Sequence, residues 1–366
     1  MVLCSILKNR TKNHPLSRPV KEGKRSTMEA MLLKKIAPIN KNSLILEDIP
    51  IPTPQRGEVL VKVKACGVCH TELDEIEGRL RLPKLPIILG HQIVGEVEMA
   101  GPATSRYQKG DRVGIAWINW ACGKCYFCKN GYENLCDQAR WTGYSAQGGY
   151  AQYTVVAEDF AYPIPSFYTD LKAAPLLCAG VIGYRALRLT GMSDKEVLGL
   201  FGFGASAHLV IQMAHYQYPN SKIFVFTRAG QLEHQQMAKK LGADWVGVTG
   251  ELPPEPLNYA IDFTPAGEPV SAALKVLAKG GRLVINVIRK EEPIPPLDYT
   301  TQLWQEKEIK SVANVTRKDA EEFLTLAAKI PIMPEVTEFH LEEANEALLI
   351  LKKGNMQGAG VLNLEL

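Results

Sequence analysis

The order of apolar and polar positions divides the chain into two textures. From Met31 to about Pro165, short β-rich runs such as Glu58–Ala65 and Gln92–Met99 are broken every few residues by Gly and Pro. That texture predicts an irregular β domain. Beyond Ala173, strand and helix patterns alternate: Val197–Phe201, a helical stretch through Tyr216, Lys222–Phe226, then a helix to Leu241. Strand signals at Tyr259–Phe263 and Arg282–Val287 flank a helical pattern at Pro269–Ala278. Repeated βα units of this length predict a parallel, doubly wound sheet. From about Asn314 the chain returns to a helix, Lys318–Ala328, and to short strands ending at Val361–Leu364, which are expected to rejoin the β domain. The apolar runs Val197–Phe203 and Leu283–Ile288 fall far short of the ~20 residues of a membrane-spanning helix, so they predict buried strands and no membrane association.

Composition changes this picture little. With 366 residues, 46% hydrophobic and 22% charged, the chain is long enough for two packed domains. Its basic surplus is local: Lys8, Arg10, Lys12, Arg18, Lys21, Lys24 and Arg25 face only Glu22 and Glu29 in the first thirty residues. The remainder is slightly acidic, which argues against a nucleic-acid partner. Residues 1–30 lack apolar periodicity and are expected to be a disordered extension, with a basic, acid-poor transit peptide as the alternative. They have no apolar core of a secretory signal. Eight cysteines, mostly at metal spacing, suggest a reducing compartment, and the cytoplasm is the expected location.

The strongest chemical signal is Cys122, Cys125, Cys128 and Cys136, a C-x2-C-x2-C-x7-C run in one turn-rich lobe. Four thiolates so close in sequence can wrap a tetrahedral zinc with no open position, which is a structural site. A second set is dispersed: Cys69 in Gly67-Val68-Cys69-His70-Thr71-Glu72, His91 in Gly90-His91-Gln92, and Cys178 in Leu176-Leu177-Cys178-Ala179-Gly180. A Cys2His set leaves a fourth position for water or substrate, as a catalytic zinc requires. Cys66 and Cys4 are given no function. After the apolar strand Val197–Phe201 comes Gly202-Phe203-Gly204-Ala205-Ser206-Ala207, a G-x-G-x-x-A dinucleotide turn. Gly202 and Gly204 permit the tight turn and close approach to pyrophosphate, and Ala207 lets helix pack on strand.

The run Gly67–Gly101, the four-cysteine lobe, and their order ahead of the dinucleotide turn resemble the zinc-containing medium-chain dehydrogenases, the alcohol dehydrogenase superfamily, across Met31–Leu366. Within it the chain is most similar to the group related to cinnamyl alcohol dehydrogenase and bacterial zinc alcohol dehydrogenases. Gly148-Gly149-Tyr150-Ala151-Gln152-Tyr153 and Ser311-Val312-Ala313-Asn314 support that likeness. The resemblance implies an α/β chain with a GroES-like irregular β catalytic domain over 31–176 and 314–366, its zinc lobe at 119–140, and a Rossmann domain over 177–313. It implies that Cys69, His91 and Cys178 hold a catalytic zinc and that the cysteine quartet holds a structural one.

The resemblance also implies hydride transfer between a primary alcohol or aldehyde, aliphatic or aromatic, and a nicotinamide cofactor. Thr71 occupies the place of a hydroxyl within reach of the substrate oxygen, His70 a place that contacts cofactor phosphates, and Trp117 the substrate-pocket wall. Glu72 is expected to orient His91. Two positions depart from the family pattern. Gln92 replaces the usual Glu after the histidine ligand, leaving the zinc more electrophilic. Asp74 stands where many relatives end a proton relay with histidine, so the relay is expected to end in solvent. A homodimer or homotetramer follows from the likeness alone. The competing reading is a non-catalytic zinc and dinucleotide-binding protein on the same fold; a zinc-free reductase would lack the ligand triple.

Cofactor choice is read from the end of the second strand of the nucleotide half. An NAD-specific site carries Asp or Glu about 20 residues past the glycine turn. This chain has Thr227 and Arg228 there, a hydroxyl and a planar guanidinium suited to a 2′-phosphate, so NADP is expected over NAD.

Overall fold

The computed structural model describes residues 26–330 and 332–365. The first half carries strands β1 (Thr27–Leu33), β2 (Leu44–Pro50) and β3 (Glu58–Gly67), then helix α1 (His70–Ile76). Strands β4 (Ile87–Ile88), β5 (Ile93–Ala100), β6 (Arg112–Ile115) and β7 (Ile118–Trp120) follow. It ends with helix α2 (Tyr126–Lys129), β8 (Arg140–Trp141), β9 (Tyr153–Ala157), β10 (Ala161–Pro163) and α3 (Asp170–Ala173). Helix α4 (Ala179–Thr190) then leads into β11 (Val197–Phe201), α5 (Ala205–Gln217), β12 (Lys222–Thr227), α6 (Leu232–Lys240) and β13 (Trp245–Val248). Strand β14 (Leu257–Asp262), α7 (Glu268–Val276), β15 (Leu277–Ile285) and β16 (Glu308–Ser311) complete that half. The chain closes with α8 (Arg317–Lys329), β17 (Val336–His340), α9 (Ala344–Lys352) and β18 (Ala359–Asn363).

Two sheets of opposite character result. One runs β10-β6-β5-β3-β18-β17, with β9 also on β3. Its strands pair antiparallel except β17 with β18. Strands from the end of the chain thus rejoin the first half, as the sequence pattern implied. The other sheet, β13-β12-β11-β14-β15-β16, is parallel throughout. Its central strands are apolar on both sides because both are covered. Along β11, Leu198 and Leu200 pack with Leu187, Val210 and Ala238, drawn from α4, α5 and α6. Val197 and Phe201 face the other way, against Val270, Ala273 and Leu274 of α7. This period-two division is what a doubly wound sheet requires.

One boundary moves. Strand β1 begins at Thr27, with Met28 and Ala30 buried and Glu29 held by Gln152, so residues 27–30 are folded rather than part of the expected extension. Residues 1–25, where the rest of that extension or transit peptide would fall, lie outside the described residues. Among the described residues no helix is long and apolar enough to cross a membrane.

Candidate active site

Cys69 sits at the mouth of α1, where the extended strand β3 turns into the helix. Glu72 fixes that turn: one carboxylate oxygen accepts the Cys69 backbone N–H at 2.8 Å. The other lies 2.6 Å from Nδ1 of His91. Glu72 is fully buried and His91 nearly so. The imidazole therefore presents Nε2 inward, 3.2 Å from Sγ of Cys178, which stands between a short 3-10 turn and α4. The donor atoms of Cys69, His91 and Cys178 all lie within 4.8 Å of one another. The Cys69 thiol is held well below its ordinary value by the hydrogen bond from Cys178 and then by His91, against the opposing effect of burial. The same bond, with burial, pushes Cys178 up. Two sulfurs and an imidazole nitrogen converge on the place a soft-to-borderline divalent cation would take, so the donor set fits zinc.

Around it, Thr71 Oγ1 lies 3.7 Å from Cys69 Sγ, and the Trp117 ring stands 4.7 Å from the His91 ring. Gln92 is buried over Gly67, where a Cβ would come within 2.8 Å of its side-chain amide carbon. His70, the first residue of α1, is exposed.

The quartet gathers as the spacing implied. Cys122, Cys125, Cys128 and Cys136 bring their sulfurs within 4.8 Å of one another, and Cys122 and Cys128 are 3.8 Å apart. Tetrahedral zinc with ~2.3 Å bonds separates its sulfurs by about 3.8 Å, so this site also fits. Backbone N–H groups of Lys124 and Cys125 lower the Cys122 thiol to about 6. The lobe is tied down by Asn134, which donates to the Ala313 carbonyl at 2.6 Å, and by buried Glu133, which accepts from the Arg317 backbone at 2.8 Å and its guanidinium at 3.2 Å.

In the nucleotide half, Gly202 adopts φ +81° and its N–H donates to the Phe226 carbonyl. Gly204 caps α5 and faces open space, with no heavy atom within 4 Å of where a Cβ would stand. Ala207 is fully buried under the helix. At the end of β12 the two expected residues part. Thr227 is fully buried and its hydroxyl accepts from Gln235 at 2.9 Å, because the inward period of β12 points it at α6. The hydroxyl expected at the lip is therefore not offered there. Arg228 is exposed, and among the described residues its guanidinium has no ion pair.

The sequence does not single out Glu75, Arg79 or Arg289, and it marks Asp74 only as a relay position. Asp74 is buried between Arg79 and Arg289, and Glu75 is buried with one oxygen unpartnered and its carboxyl pushed well up by burial and then by Glu72. Four acids among six residues, Glu72, Asp74, Glu75 and Glu77, give no sign of which of them turn inward.

An antiparallel β half and a parallel dinucleotide sheet, with one closed thiol quartet and one three-ligand site at the mouth of α1, define a two-domain zinc oxidoreductase fold. Comparison with known proteins identifies the family. The Alcohol dehydrogenase GroES-like domain matches residues 55–166. The chain is 42% identical to the probable alcohol dehydrogenase AdhA of Mycobacterium tuberculosis (strain CDC 1551 / Oshkosh), covering 92% of this chain and 97% of that one. It is 37% identical to an alcohol dehydrogenase of Geobacillus stearothermophilus, covering 89% and 97%. The structure of a cobalt- and zinc-bound thermostable alcohol dehydrogenase from Pyrobaculum aerophilum superposes with a TM-score of 0.82 at 23% identity, covering 92% and 100%. The chain belongs to the zinc-containing medium-chain alcohol dehydrogenase family, whose members are oxidoreductases working with a nicotinamide cofactor.

Proposed function

We propose that this chain interconverts primary alcohols and aldehydes with NADP(H), at a zinc held by Cys69, His91 and Cys178, while Cys122, Cys125, Cys128 and Cys136 hold a structural zinc. The observation that carries this reading is the convergence of the three dispersed donors, drawn from positions 69, 91 and 178, on one point beside Trp117. When bound, zinc supplies Lewis-acid polarisation of the substrate oxygen and the nicotinamide accepts or returns hydride. Glu72 holds the His91 tautomer that presents Nε2. Thr71 is the hydroxyl that exchanges the substrate proton. Asp74, with both oxygens engaged by arginine, does not extend that relay, so the proton passes from Thr71 to solvent. Trp117 bounds the space for the substrate's apolar body and excludes water.

The glycine turn at Gly202 and Gly204, packed through Ala207, takes the pyrophosphate, and exposed His70 is the further group assigned to the cofactor phosphates. The unpaired Arg228 and the lack of any acid at the end of β12 support NADP(H) over NAD(H). We assign the catalytic domain to residues 31–176 and 314–366 and the nucleotide domain to 177–313. The exposed parallel edge strand β16 supports assembly into a homodimer or homotetramer. Free thiols throughout the described residues support a reducing, cytoplasmic setting. The test is metal analysis together with a panel of primary alcohols and aldehydes assayed with both cofactors. About two zinc ions per chain are expected from the two donor sets. Protein loaded with both ions that turns over no alcohol or aldehyde would favour a non-catalytic binding role.

A further inference from the structure

Two successive residues after β15 grip opposite halves of the molecule. Arg289 reaches across to α1, where Nε donates to Asp74 Oδ2 at 3.0 Å and Nη2 to Oδ1 at 3.1 Å, a fork on a carboxylate that is only 6% exposed. Arg79 donates to the same Oδ1 at 2.5 Å, and Arg289 Nη2 also meets Glu291 at 3.0 Å. Lys290 turns the other way. Its ammonium pairs with fully buried Asp262, the last residue of β14, and donates to the carbonyls of Thr264 at 2.7 Å and Ala266 at 2.8 Å. Asp262 in turn accepts from the Thr264 backbone at 2.9 Å and hydroxyl at 2.7 Å. Thr264 packs on the glycine turn so closely that a Cβ on Gly202 would lie 2.8 Å from its methyl group.

A connected path therefore runs from Gly202, by close packing, to Thr264, by hydrogen bonds and an ion pair through Asp262 to Lys290, along the chain to Arg289, and by its fork to Asp74, on the helix capped by Cys69 whose first turn carries Thr71. We propose that Arg289 is a positioning residue that sets the spacing between the donor cluster at the mouth of α1 and the dinucleotide turn. The inference rests on the functional reading above, since its effect on turnover presumes that hydride crosses that gap. Asp74 is then an anchor for the second domain rather than a member of a proton relay. A planar fork suits this task better than an ammonium, because two bonds fix direction as well as distance.

The test is a cycle of Arg289→Gln, Asp74→Asn and the double variant, with Arg289→Lys as the conservative change, all zinc-loaded. Two readouts are taken: hydrogen exchange of residues 70–76 without substrate, and the primary deuterium isotope effect with α-deuterated alcohol. Misplacement of about an ångström can cost a hundredfold in rate, so Arg289→Gln is expected to lower kcat by about ten- to a hundredfold. It should raise the isotope effect and speed exchange across α1, while cofactor KM and zinc content change little. Arg289→Lys should fall between, and the double variant should be no worse than either single one. Wild-type exchange and isotope effects in Arg289→Gln, additive single variants, or losses that follow melting temperature alone would overturn the proposal. A wild-type enzyme inactive on every alcohol would refute the functional reading, and the exchange cycle would still decide whether Arg289 holds α1.

Discussion

Adding one methyl group at each glycine of the dinucleotide turn should separate folding from binding. At Gly202 the backbone has φ +81°, which costs an L-residue roughly 1–2 kcal/mol. The new Cβ would also stand 2.8 Å from Cγ2 of Thr264. That side chain cannot swing aside, because its hydroxyl is bonded to Asp262 and its carbonyl to Lys290. Overpacking of this kind adds about 1–3 kcal/mol. Gly202→Ala is therefore expected to lose roughly 2–5 kcal/mol in urea unfolding. Gly204 is the opposite case: φ −94° and ψ −162° suit any residue, and no atom lies within 4 Å of its Cβ position. Gly204→Ala should unfold as the wild type does, or slightly later, since alanine narrows the unfolded ensemble. The methyl would instead occupy the space where pyrophosphate approaches the backbone. A loss of at least about tenfold in affinity, some 1.4 kcal/mol, is expected by fluorescence titration with reduced cofactor. Unimpaired binding by Gly204→Ala, or wild-type stability in Gly202→Ala, would refute this account of the turn.

Cys178→Ala is expected to abolish turnover and reduce bound zinc to about one ion per chain with the fold intact, whereas Cys125→Ala should lower the melting temperature first; the reverse order by metal analysis and calorimetry would undo the division of roles. Arg228→Asp should weaken NADP(H) by roughly 1–3 kcal/mol, the range for a hydrogen bond to a charged group, and NAD(H) less; a wild-type preference for NAD(H) in KM measurements would remove the argument. Glu77 sits at about 2 because, although burial opposes it, Lys352 and Arg79 both donate to its carboxylate. Its depressed value makes its contribution complete above its ordinary 4.5 and lost as pH falls toward 2. With both partners well exposed, Glu77→Gln should cost only about 1 kcal/mol at pH 7 and nothing near pH 2, and a deficit that grew on acidification would contradict the sign.

Features that depend on short spacing were legible in the sequence. The quartet closes within fifteen residues, and the glycine turn follows its own strand, so local chain geometry fixes both. The convergence of the dispersed donors was expected only through family likeness, because residues 69, 91 and 178 meet through the packing of both halves. Orientation was less accessible. Thr227 and Arg228 are neighbours, yet one is turned under α6 and the other left free by a strand period that shifts with a single residue. Asp74 read as an altered relay residue because its partner Arg289 lies 215 positions away, and no local pattern connects them.

The pairing of β18 with β3 also carries a consequence for assembly. Val361 and Leu362 lie beside Gly67 and Cys66, and the Val68 N–H donates to the Gly360 carbonyl at 2.8 Å, directly before Cys69. The strand that leads to Cys69 is already paired with β5 and β9, but it gains its β18 neighbour only when residues near 360 have left the ribosome, on the order of 15–60 s after Gly67 at ordinary synthesis rates. The quartet needs nothing beyond Cys136 to gather its four sulfurs. A growing chain can thus gather the quartet early, as a local clasp, while the β-sheet frame beside Cys69 is completed only in a finished polypeptide.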